Sequence, residues 1–113
     1  MNQSQNDNQT EVLTEVKTKK PKKYQIILHN DDYTPMDFVV YVLTDIFNKN
    51  IAEAEKITLT IHHEGKAIVG EYVKEIAQSK KNRVEREAKE ARHPLKCTME
   101  EQPSPSHSSG PKF

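Results

Sequence analysis

Between two polar ends the chain changes its hydrophobic period in an ordered way. Tyr24, Ile26 and Leu28 alternate with Gln25, Ile27 and His29, which predicts a short strand that is apolar on at least one face. The turn Asn30-Asp31-Asp32-Tyr33 ends it. Thr34 is a good helix N-cap, Pro35 suits a first helical position because its missing N–H would have no helical partner, and Asp37 follows near the positive helix end. A helix is therefore expected from Pro35, burying the face made by Met36, Val39, Val40, Leu43, Ile46 and Phe47 and stopping at Asn48 to Asn50. Ile51 to Glu55 read as one further helical turn. Ile57, Leu59 and Ile61 then alternate with Thr58, Thr60 and His62 as a second strand, which Gly65 breaks. From Ala67 to Arg92 the spacing of Val69, Tyr72, Val73, Ile76, Ala77, Val84 and Ala88 is helical, supported by Lys81, Glu85 and Lys89 at i,i+4 intervals. Pro94 cannot sit inside that helix, and Leu95, Cys97 and Met99 alternate as a third strand.

The order strand, helix, short helix, strand, helix, strand predicts an α+β fold: a small two-layer sandwich with three helices packed on a three-stranded antiparallel sheet (β-α-α-β-α-β). At 113 residues there is room for one domain, here residues 22–101. Residues 1–21 carry too little apolar content to offset the entropy of ordering them and read as a flexible arm. Residues 102–113, with Pro103, Pro105 and Pro111 among serines, read as a disordered tail.

Charge and cysteine usage narrow the function classes. Seventeen basic residues balance seventeen acidic ones, so no global field draws the chain to nucleic acid or to an anionic membrane, and partner choice must be local. Cys97 is the single cysteine and cannot form an internal disulfide, no secretory signal is visible near Met1, and no apolar run approaches the roughly 20 residues that span a bilayer. The expected address is the cytoplasm.

Three features could carry chemistry. Asn30, Asp31 and Asp32 are favoured turn residues, but three consecutive polar acceptors between a strand and a marked helix start exceed what a turn requires. Asn offers an acceptor and a donor and each ionised Asp offers acceptors, a set that suits a cation which also presents a peptide bond. In the expected second strand, alternation sends the rings of His62 and His63 to opposite faces, which argues against a shared metal; His62 lies on the face away from Ile57, Leu59 and Ile61 and could accept a hydrogen bond from an amine. Met36 and Val39 fit a helix core equally well, yet they lie directly beside the acceptor-rich turn, where an apolar pocket next to amine-binding groups costs little. Cys97 has no convincing base, His93 being four residues away, and is assigned to packing. No phosphate loop or nucleophile elbow is present in a chain with three glycines, and no ligand spacing supports a metal or another cofactor. A metal-dependent hydrolase built on Asp31, Asp32 and His62 remains the rival from another class.

The run Asn30-Asp31-Asp32-Tyr33-Thr34-Pro35-Met36-Asp37-Phe38-Val39-Val40, with Val42-Leu43, His62, Gly65-Lys66-Ala67 and His93-Pro94-Leu95-Lys96-Cys97-Thr98, resembles the bacterial ClpS adaptor family over about Lys22 to Glu101. The resemblance implies a non-enzymatic adaptor that binds proteins with an N-terminal Leu, Phe, Tyr or Trp and delivers them to a Clp AAA+ unfoldase. It further implies that Asn30, Asp31 and His62 hold the α-amino group, with Asp32 and Thr34 shaping the site. Met36, Val39, Ile61 and Leu95 would line the side-chain pocket, and Glu75 and Lys80 would dock on the N-terminal domain of a ClpA- or ClpC-like unfoldase. The arm resembles the family's delivery extension, and a monomer is expected. Thr58 departs from the family pattern, which often has methionine in the pocket wall, so a β-branched first residue becomes a candidate ligand. An alternative is a regulator that docks on the unfoldase without reading N-termini.

Overall fold

The structure, a computed structural model, describes residues 21–103. The bodies of the arm and tail segments lie outside that range. The described elements are β1 (Lys23–His29), α1 (Met36–Asp45), α2 (Ile51–Glu64), β2 (Lys66–Val73), α3 (Lys74–Glu90) and β3 (Lys96–Glu101), joined in the expected β-α-α-β-α-β order. The three strands form one antiparallel sheet in the order β2-β1-β3, with β1 in the centre. Gln102, placed with the tail by sequence, donates its N–H to the Lys23 carbonyl at 2.8 Å and continues the sheet edge by one residue.

One core joins the helices to one face of the sheet. Ile26 and Leu28 of β1, Val69 of β2 and Cys97 of β3 meet Val42 and Leu43 of α1, Ala54 and Ile61 of α2, and Ala77, Val84 and Ala88 of α3. Ile27, His29, Lys96 and Thr98 alternate onto the opposite face. No helix among the described residues is long and apolar enough to cross a membrane.

Two expected elements are corrected. The alternation from Ile57 to Ile61 is not a strand but the second half of α2, a 14-residue helix whose buried positions Ala54, Thr58 and Ile61 recur at helical spacing. Asn50 caps it by accepting from the Glu53 N–H at 2.8 Å, and Gly65 closes it at φ 95, where its N–H reaches the Ile61 carbonyl. The second strand is instead Lys66–Val73, read from sequence as the start of a helix. A register shift opposite Ile26 and Ile27 leaves Val69 as an extra residue, so Val69 and Tyr72, three apart, both turn to the core and imitate helical spacing. Gly70 lies beneath the Tyr72 ring, where a Cβ would come within 2.6 Å of that side chain. The long helix therefore begins at Lys74, and α1 begins at Met36 with Pro35 in the capping position.

The close of α1 is unusual in its partners. Asn48 adopts φ 58, the Lys49 N–H reaches the Leu43 carbonyl, and the Lys80 ammonium donates to the Ile46 carbonyl at 2.8 Å. That ammonium also lies 5.9 Å from the Phe47 ring centroid and 5.2 Å from that of Tyr72. A second tie between helices runs from Arg83 to Asp45 and Glu87, with the Tyr41 hydroxyl donating to Glu87.

Gly65 has open space around its Cβ direction, so Gly65→Ala tests backbone conformation alone. The substitution should destabilise the domain by about 1 kcal/mol, read as a lowered urea midpoint with an unchanged slope.

Candidate functional site

The end of β1, the start of α1 and the last two turns of α2 meet around a cavity of about 260 Å³. Asn30, Asp31, Asp32 and Thr34 come from the turn, Met36 and Val39 from α1, and Thr58, Ile61 and His62 from α2. Nine of the ten residues expected at an amine-and-side-chain site thus line one space. The tenth, Leu95, is 6% exposed and packs in the core outside that lining.

The turn is positioned from both sides. The Asn30 N–H donates to the Gly65 carbonyl at 2.8 Å, which fixes the end of β1 against the end of α2. Asp31 then organises the rest of the turn: its Oδ1 accepts the Tyr33 N–H at 2.8 Å and the Thr34 N–H at 2.7 Å, and its Oδ2 accepts the Thr34 hydroxyl at 2.7 Å. This corrects the expectation for Thr34, whose hydroxyl serves Asp31 rather than capping α1. A carboxylate has about four lone-pair sites, so Asp31 keeps room on Oδ2 for one more donor. Partial burial pushes its pKa up, but the Thr34 hydroxyl, the Thr34 and Tyr33 N–H groups and the charge of His93 together hold it below the ordinary carboxylate value.

His93 is the neighbour that sequence weighed only as a base for Cys97. Its ring stands edge-on to Phe38 at 4.7 Å, and its charge acts on Asp31. Cys97 is 3% exposed, and burial pushes its thiol up to about 12, which makes it inert as a nucleophile.

The α2 side supplies both characters from one helix. Ile61 and Thr58 are buried, 3% and 4% exposed, while His62 is exposed at the rim. The expected opposition of His62 and His63 across a strand does not exist; they are helix neighbours with ring centroids 5.3 Å apart. The Thr58 hydroxyl donates to the Ala54 carbonyl at 2.8 Å, so the wall residue has already paired its polar atom within the helix. Met36, 42% exposed, stands at the opening. The cavity therefore offers oxygen and nitrogen acceptors on one side and hydrocarbon on the other. Among the described residues no three His, Cys, Asp or Glu side chains are gathered as a metal-ligand set.

The two residues expected to dock on an unfoldase lie elsewhere, on α3. Glu75 is exposed in the first turn, whereas Lys80 is half-buried and committed to the Ile46 carbonyl.

Comparison with known proteins gives one answer. The family model described as ATP-dependent Clp protease adaptor protein ClpS matches residues 19–98. The ClpS adapter of Neisseria meningitidis is 44% identical over 102 residues, covering 89% of this chain and 99% of that one. That of Vibrio atlanticus is 51% identical over 85 residues, covering 75% and 80%. Among solved structures, Agrobacterium tumefaciens ClpS2 bound to L-phenylalaninamide matches with a TM-score of 0.71 at 36% identity, covering 74% of this chain and all of that one.

The depressed pKa of Asp31 sets a stability test. A carboxyl with a lowered folded pKa contributes stability above its unfolded value, about 3.9, and loses it as pH falls through the lower folded value. Wild type should exceed Asp31→Asn in thermal stability at pH 7, and the gap should begin to close only below about pH 4. A gap that closes between pH 7 and 5 would assign it to another group.

Proposed function

The chain belongs to the ClpS family of ATP-dependent Clp protease adaptor proteins, and on that premise we propose that it binds proteins with a large hydrophobic N-terminal residue and presents them to a Clp AAA+ unfoldase. It is an adaptor and not an enzyme. The observation that carries the finer reading is the two-sided cavity: acceptors from Asn30, Asp31 and His62 next to a wall from Met36, Val39, Thr58 and Ile61.

A protonated α-amine has three donors and needs acceptors placed around it, which the turn and His62 supply from two separate elements. Asp32 shapes the rim, and Thr34 holds Asp31 in place. The first side chain enters the apolar half. Burial of a Leu- or Phe-sized group contributes about 1.5–3 kcal/mol, and each hydrogen bond to the charged amine contributes a similar amount before the costs of association. Neither half suffices alone: an internal leucine lacks the amine, and an N-terminal serine lacks the hydrocarbon. The cavity is also smaller than the roughly 300–1,000 Å³ of drug-sized sites, which suits one residue rather than a longer segment. The ligand of the Agrobacterium relative, a phenylalanine with a free amine and a blocked carboxyl, has the chemistry of such an N-terminus.

We place the protein in the cytoplasm as a monomer, with the unfoldase's N-terminal domain meeting the α3 surface around Glu75. Lys80 would join that surface through the part of its side chain left exposed, since its ammonium is held by Ile46. Where the family pattern often has methionine, Thr58 makes a shorter wall, and the β-branched first residues Ile and Val enter the substrate range.

Titration with matched peptides tests the reading. A Leu-initiated peptide should bind, its acetylated form should lose binding by at least about tenfold because charge and donors are removed, and a Ser-initiated peptide should bind weakly. Equal affinity for the acetylated peptide would overturn amine recognition and favour a docking regulator. Thr58→Met should weaken Ile- and Val-initiated peptides relative to Leu; an unchanged ratio would remove Thr58 from the selectivity argument.

A further inference from the structure

The cavity holds one polar group that amine binding does not use. Asn30, Asp31 and Asp32 belong to the turn, His62 stands at the rim, and the Thr34 hydroxyl is spent on Asp31. Thr58 is different. It is the only buried polar residue among those described, and it shares the cavity wall with the apolar side chains of Met36, Val39 and Ile61.

The geometry of its hydroxyl decides what it can offer. A hydroxyl has one proton and two lone pairs. The Thr58 proton goes to the Ala54 carbonyl, 2.8 Å away and one turn back along α2. It points at the helix backbone, so the lone pairs point away from it. Thr58 shares a face of α2 with Ile61 and His62, at i+3 and i+4, and all three line the cavity. Depth separates them: His62 is exposed at the rim, whereas Thr58 is buried one helical turn, about 6 Å, along the axis from it. An amine held by His62 and the turn therefore sends the far end of its side chain towards Thr58. Leucine and phenylalanine end there in C–H groups. Tyrosine alone ends in an O–H donor at the tip of its side chain.

We propose that the Thr58 hydroxyl oxygen accepts a hydrogen bond from the phenol of an N-terminal tyrosine, so that this chain favours tyrosine over phenylalanine as the first residue. Two effects act in the same direction. A buried phenol needs a partner for its O–H, and in a wholly apolar wall it would give up water for nothing. A phenylalanine, in turn, closes the cavity over lone pairs that it cannot satisfy. The methionine frequent at this position in the family offers only a thioether, a weak acceptor. The inference rests on the amine-and-side-chain reading of the cavity and names which first residue that reading favours.

Titration of the full chain with matched Tyr-, Phe-, 4-fluoro-Phe- and Leu-initiated peptides tests it. Wild type should bind the Tyr peptide about three- to tenfold more tightly than the Phe peptide, the range expected of one net hydrogen bond. The 4-fluoro-Phe peptide fills the para position without a donor and should follow Phe. Thr58→Val replaces the hydroxyl by a methyl of similar size and should abolish the Tyr preference, while Thr58→Ser, which keeps the hydroxyl, should retain it; binding of the Leu peptide shows that each variant is folded. A preference that persists in Thr58→Val, or is lost equally in both variants, would take the hydroxyl out of the reading. The wild-type comparison also stands by itself: a Phe or 4-fluoro-Phe peptide bound as tightly as the Tyr peptide would overturn the inference and leave amine recognition in place. Failure of all four peptides to bind wild type would overturn both.

Discussion

The architecture depends on the double pairing of β1. It is the only described strand with neighbours on both sides, and three successive residues, Ile26, Ile27 and Leu28, are buried, with Ile26 and Leu28 fully so. A strand with both edges hydrogen-bonded and its core face filled cannot slip register without exposing that set. Its last residues are therefore among the best-determined points of the molecule, and the site begins there. The Asn30 N–H to Gly65 carbonyl bond carries that position across to the end of α2, so the two halves of the cavity inherit one frame.

From that anchor the polar half is built by one carboxylate. Asp31 takes three local hydrogen bonds, which order the turn and keep the group ionised at the same time. The arrangement is a preorganised anion: its ordering comes from within the turn, and one acceptor position on Oδ2 is left for a further donor. Thr34 holds Asp31 and does not cap α1. Lys80 offers a parallel on α3, where a charged side chain closes α1 by donating to the Ile46 carbonyl. A charged side chain on an outward helix is legible as exposed; the carbonyl it reaches 34 residues away is not.

The sequence displayed the element order and the α+β class, and it displayed the turn, α1 and β3 almost at their observed bounds. It misled over residues 57–73 for physical reasons. Short apolar alternation fits a strand and also one face of a helix, and the signals that decide between them were the Asn50 cap, with Glu53 three residues on, and Gly65 as terminator. Those two bracket a single 14-residue helix. The bulge at Val69 then disguised β2, because an inserted residue turns a period of two into a spacing of three. Leu95 is hydrophobic and buried in the core, and the cavity lining does not include it; such a placement depends on packing direction, which spacing does not encode.

The candidate site contained the evidence against that misplaced strand. Thr58, Ile61 and His62 were assigned to one cavity, yet in a strand Ile61 points to one face and Thr58 and His62 to the other. No register reconciles the three. On a helix the same numbers are i, i+3 and i+4, which share a face, and all three line the cavity from α2. The wall and the imidazole are thus held on one rigid element, so the spacing between them is set by helix geometry. A chemical requirement that several residues converge is itself a constraint on secondary structure. Here it discriminates helix from strand where hydrophobic alternation could not.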